Sequence, residues 1–164
     1  MASQWHSLVS QKLYMARTLL QQADAIESVP DAGKVVQREA FLQGAVELTL
    51  RARHLLLVMI ARMYQRKNDS PESLDALLAL LGRELPETAE LLELSRQPDS
   101  WWNHLDQLVA AQSQPPAARK TVSAENIIAV SAVSGPDRSL SALNLSLDAL
   151  KQFADSLEER HSEW

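Results

Sequence analysis

Trp5, Leu8, Lys12, Ala16, Leu19, Ala23 and Ile26 recur at steps of three and four, and Leu13 and Leu20 widen the stripe. Such spacing follows one face of a helix and predicts one over residues 4–27. Pro30 and Gly33 interrupt the pattern, after which a long helix is predicted to run to Lys67 on Phe41, Ala45, Leu48, Ala52, Leu55, Met59 and Met63. Residues 55–61 are apolar on every side, so neighbours should cover this helix on several faces.

Ser70 as a cap with Pro71 at the first helical position predicts a third helix, which Gly82 ends. Pro86 opens a fourth through Leu94, and Asp99 caps a fifth that begins Ser100-Trp101-Trp102 and reaches Ala111. Residues 112–122 turn to Gln, Ser, Pro and Ala, an exposed Pro-rich connector. Ile127, Ile128, Val130 and Val133 favour an extended segment over 126–133. Gly135-Pro136 breaks the chain again. A last helix from Ser139, residues 139–164, then carries Leu143, Leu147, Leu150, Ala154, Leu157, His161 and Trp164 as a stripe that packs back on the bundle. The whole pattern predicts a single all-α domain over residues 1–164. It is a helical bundle of about five to six helices with one long central helix and a short extended segment before the C-terminal helix.

Composition narrows the function classes. With 46% apolar and 23% charged residues the chain has the balance of a folded domain, and it holds no cysteine, which excludes disulfides, thiolate metal sites and cysteine nucleophiles. Its N-terminus has no basic region followed by an unbroken apolar run, and the strongest run, Leu55 to Ala61, is too short to span a bilayer; a cytoplasmic protein with no membrane contact is expected. The net charge of −5 argues against general nucleic-acid binding, but it is unevenly spread. Residues 34–67 hold seven cations against two acids, a net of +5, and residues 68–100 hold two arginines against eight acids, a net of −6. Adjacent segments of opposite sign predict neighbours that attract across a shared face.

Signatures of catalysis are sparse. Gly33, Gly44, Gly82 and Gly135 lie too far apart to form a phosphate-cradling loop. No His-Glu-x-x-His or Gly-x-Ser-x-Gly pattern and no pair of Glu-x-x-His motifs for a di-iron bundle occurs, so no catalytic residue, metal or cofactor is assigned. Three groups of residues remain as candidates. Glu47, Arg51 and His54 fall at steps of four and three on the long helix and would suit a small ligand or an anion, or else form an ion-pair ladder. Trp101, Trp102, Ile127, Ile128 and Val130 are candidate contacts for a protein partner, and the extended segment offers an edge for a homodimer. Arg53, Arg62, Arg66 and Lys67, within the basic face of residues 51–67, would contact phosphates in a nucleic-acid accessory protein.

Gln11-Lys12-Leu13-Tyr14-Met15-Ala16, Glu90-Leu91-Leu92-Glu93-Leu94, Gln97-Pro98-Asp99-Ser100-Trp101, Ile127-Ile128-Ala129-Val130-Ser131 and Ser162-Glu163-Trp164 together resemble a family of uncharacterised bacterial proteins, a domain of unknown function. The resemblance spans nearly the whole chain and implies a free-standing cytoplasmic protein, with no activity or ligand to carry over. The long helix is also loosely similar to helical toxin-system ribonucleases, but Arg51 and His54 stand too close together for that signature. A non-enzymatic helical interaction or scaffold module with an unidentified protein partner is the expectation these observations favour.

Overall fold

The computed structural model describes residues 3–26, 31–115 and 135–162. Six helices follow one another: α1 Gln4–Ala25, α2 Ala32–Met63, α3 Leu74–Leu81, α4 Pro86–Arg96, α5 Trp101–Gln112 and α6 Leu140–Ser162. Among the described residues there is no strand, and the fold is an all-α bundle built around the long α2. The predicted extended segment 126–133, and the connector beyond residue 115, lie outside the described residues.

Contacts between helices set their directions. Arg62 lies over the Trp5 ring at 5.1 Å, and Leu19 sits against Gly44, so α1 and α2 run antiparallel as a hairpin. A Cβ on Gly44 would meet Leu19 Cδ1 at 3.0 Å, so glycine here lets α1 approach closely. Arg138 pairs with Glu39 at 2.7 Å and His161 rests on Tyr64, which makes α6 parallel to α2. His6 to Asp155 and Arg17 to Asp148 tie α6 to α1, and Arg53 to Asp106 ties α5 to α2. The start of α2, the end of α1, the end of α5 and the start of α6 therefore share one end of the bundle, and α3 and α4 lie toward the other.

One apolar core joins these elements through Leu13, Leu20, Leu56, Ile60, Leu105, Leu147 and Leu150, all at most 2% exposed. Leu56 through Ala61 are all buried, in keeping with a segment apolar on every side.

Several helix ends differ from the sequence reading. The central helix stops at Met63 rather than Lys67, because Gln65 turns to a φ of 63° and closes the helix with two reversed bonds. Arg66 N–H reaches the Ala61 carbonyl at 2.9 Å and Gln65 N–H the Arg62 carbonyl at 3.1 Å. The same helix begins at Ala32 on Asp31, whose carboxylate accepts from Gly33 N–H, so Gly33 is in the first turn rather than the break. In α3 the cap is Ser73, accepting from Ala76 N–H at 3.1 Å, while Pro71 is buried in the approach. Ser100, not Asp99, caps α5: its hydroxyl accepts from Asn103 N–H and donates to the Leu94 carbonyl at 2.6 Å. No helix among the described residues is long and apolar enough to cross a membrane.

Candidate functional site

Helices α5 and α6 leave an open groove of about 550 Å³ between them. Its floor and walls include Trp101 and His104 from α5, Ala142, Leu145 and Ala149 from α6, and Asp99 and Asp137 from the turns before each helix. Leu145 is 68% exposed on this rim, one of few large apolar side chains left open to solvent. Among the described residues the Asp, Glu, Lys or Arg side chains lining the groove are Asp99 and Asp137, two acids.

The helix start explains how the groove is held. Ser139 hydroxyl accepts from Ala142 N–H at the head of α6, and Asp137 accepts from Ser139 N–H at 2.8 Å. The Ser139 backbone and hydroxyl donors hold the Asp137 carboxyl below the ordinary carboxylate range and so keep it charged. His104 bridges the two sides: Nε2 lies 2.7 Å from the Asp137 carbonyl and Nδ1 2.6 Å from Ser146 Oγ. A carbonyl only accepts, so Nε2 carries the hydrogen, and the histidine fastens the α6 entry to α5.

The two tryptophans divide the expected roles. Trp102 is buried, stacked edge-on with Trp101 and covered by the Arg53 guanidinium at 4.7 Å. Trp101 is half-buried, leans on Phe153 with centroids 5.8 Å apart, and shows its remaining face to the groove. Ile127, Ile128 and Val130 lie outside the described residues.

Glu47, Arg51 and His54 do not converge. Glu47 lines a cleft with Glu39, Gln43 and Arg138, whereas His54 lines another with Arg53, Glu72, Asp75 and Asp106. Among the described residues no ion pair joins the three, and Arg51 is exposed and lines neither cleft. Of the four candidate phosphate contacts, two turn inward. Arg53 binds Asp106 at 2.6 Å and the Trp102 carbonyl at 3.3 Å, and Arg62 donates to the carbonyls of Arg66 and Asp69. Arg66 and Lys67 are exposed beyond the end of α2. Among the described residues no group of three or more His, Cys, Asp or Glu side chains gathers to hold a metal.

A second polar cluster was not legible in the sequence. Glu87, 3% exposed in the first turn of α4, accepts from the Tyr64 hydroxyl at 2.6 Å and from His161 Nε2 at 2.9 Å. Burial and then the Glu87 carboxylate push the Tyr64 phenol up to about 12, so this tyrosine stays a donor. The cluster locks the ends of α2 and α6 to the start of α4. None of the grooves and clefts described above is lined by its three residues.

A model for a family of unknown function (DUF6586) matches residues 1–164, and the chain belongs to that family. Neither the curated proteins nor the solved structures contain a match to it.

Proposed function

We propose that this member of DUF6586 is a non-enzymatic helical protein-interaction module whose docking surface is the α5–α6 groove. One observation carries the reading: an apolar surface of Trp101, Ala142, Leu145 and Ala149 stands open between two carboxylates, with no lysine or arginine lining it among the described residues. Leaving Leu145 in water forgoes burial that would contribute about 1.5–3 kcal/mol in a closed contact. The matching partner is a helical segment with an apolar face and flanking cations, because the aliphatic side chains would fill the groove and the cations would meet Asp99 and Asp137. Both candidate alternatives have weaker support, since Glu47 and His54 face different clefts and Arg53 and Arg62 already bind within the fold.

The test replaces Leu145 with a photo-reactive phenylalanine analogue and irradiates cells making the full chain. The expected product is a discrete covalent adduct whose cross-linked segment is basic and amphipathic, and which is lost in Asp99→Arg at unchanged helicity. Absence of any adduct, or one that survives Asp99→Arg and maps to an acidic segment, would overturn the reading.

A further inference from the structure

We propose that the groove's occupant is the projecting start of α2 from a second copy of this chain, exchanged reciprocally so that each copy holds the other's helix tip. The inference rests on the groove being a docking surface and identifies what docks there.

Among the described residues the helix pairing leaves α2 without cover at its start. Trp5 opposite Arg62 and Leu19 opposite Gly44 fix the register of the hairpin, and α1 ends at Ala25, so the first turns of α2 extend past it. Residues 31–37 are all exposed. Val35 is 62% and Val36 69% exposed, values matched by Leu145 in the groove. Among the described residues nothing packs on these two adjacent valines, an unusual use of apolar side chains at a helix end.

Charge selects the groove as their destination. Lys34 and Arg38 stand one turn apart on either side of the valines and outnumber Asp31, so residues 31–38 form an apolar tip with a net charge of +1. The groove combines an apolar surface with Asp99 and Asp137, and among the described residues no lysine or arginine lines it. A protein with a net charge of −5 is repelled by most of a second copy's surface, and this tip is a place where it presents positive charge instead. The tip is not among the residues lining its own groove, and α2 is one continuous helix from Ala32 to Met63, with no break about which the tip could turn toward it.

Position makes the exchange reciprocal. The groove lies on the first turns of α6, and Arg138 beside Asp137 pairs with Glu39, one turn from Val35. The Asp137 mouth of the groove thus lies near the tip, and a two-fold axis there would bring each tip into the partner's groove. One-way docking would leave a free tip and a free groove at every step and would propagate into a chain, whereas exchange uses both and closes.

The experiment measures mass by light scattering over a concentration series and adds a covalent trap. The wild-type chain is expected to move from 18.3 kDa toward twice that mass as concentration rises. Val36→Glu, and separately Lys34→Glu with Arg38→Glu, should raise the dimer dissociation constant by about tenfold or more. Adding Asp99→Arg to the Lys34→Glu, Arg38→Glu chain should recover part of that loss. All the altered side chains are at least partly exposed, so unchanged far-UV circular dichroism checks the fold in each. The chain has no cysteine, so a Val36→Cys, Leu145→Cys chain should form a disulfide between positions 36 and 145 of different copies under mild oxidation. A wild-type chain that remains monomeric to about 1 mM, or a dimer indifferent to Val36→Glu, or one trapped only through 36–36 and 145–145 links, overturns the exchange. A monomer that still gives the photo-adduct with another protein sinks this inference and keeps the docking surface; no dimer and no adduct sinks both.

Discussion

Glu87 is a carboxylate taken almost wholly out of solvent, which would be costly if its oxygens had no donors. Burial alone pushes its carboxyl up. The hydrogen bonds from Tyr64 and His161, the group's own backbone N–H and the attraction of His161 together outweigh that and hold it below the ordinary 4.5. In the unfolded chain the same group titrates near 4.5, so between the two values the folded state binds fewer protons. Its contribution is therefore complete above that pH and is lost as pH falls through the depressed folded value. Glu87→Gln should cost roughly 1–3 kcal/mol near neutrality, because a neutral amide keeps one acceptor but presents an N–H to one of two donors. Urea unfolding measured between neutral and acidic pH should show a smaller acid loss in the variant; parallel profiles for the two chains would rule out this role. Nothing in the sequence pointed to this cluster, because Tyr64 just past α2, Glu87 in α4 and His161 in α6 lie far apart along the chain and each looks ordinary in its own neighbourhood. His161 was legible only as a member of the α6 stripe, and His104, whose partner Ser146 lies 42 residues away, as a lone histidine.

At the scale of the element, local rules located the helices and missed some of their ends. Gly82 was readable as a stop, and its φ of 84° with ψ of 178° is a conformation open essentially to glycine. A Cβ there would touch nothing within 4 Å, so Gly82→Ala isolates the backbone cost. We expect a loss of about 1–3 kcal/mol in urea unfolding, and a stability equal to wild type would show that α3 can end another way. The end of α2 was not readable, because its left-handed residue is Gln65, a type with no preference for that conformation, and the closing bonds involve only backbone. Ser70 and Ser73 are equally plausible caps by residue type. The choice between them depends on Pro71 being buried, a tertiary fact. The groove was half legible: Trp101 stood out as a contact because two adjacent tryptophans point about 100° apart on a helix. Leu145 did not, since it stands midway between Leu143 and Leu147 of the α6 stripe and reads as one more leucine of an apolar helix.

For the whole molecule, the opposed charge of residues 34–67 and 68–100 suggested that those segments pair with each other. Among the described residues the ion pairs instead run from α2 to α5 and α6, and from α4 to α6, as in Arg53 to Asp106, Glu39 to Arg138 and Glu90 to Arg160. These pairs are partly exposed and each contributes little, about 0–1 kcal/mol. Cohesion must then come from the single apolar core, in which α1, α2, α5 and α6 each bury side chains against the others. Leu147, 1% exposed on α6, lies in that core, so Leu147→Ala removes packing shared by several helices. The expected cost is about 2–5 kcal/mol. It should appear as one lowered transition in which tryptophan fluorescence, reporting Trp5 in α1 and the Trp101–Trp102 pair in α5, coincides with far-UV circular dichroism. If α5 and α6 formed a unit separable from the α1–α2 hairpin, the fluorescence and dichroism curves of the variant would part. Coincident curves mean that the groove stands on the same cooperative unit as α2, so the helix tip and the groove are held in fixed relation within each copy.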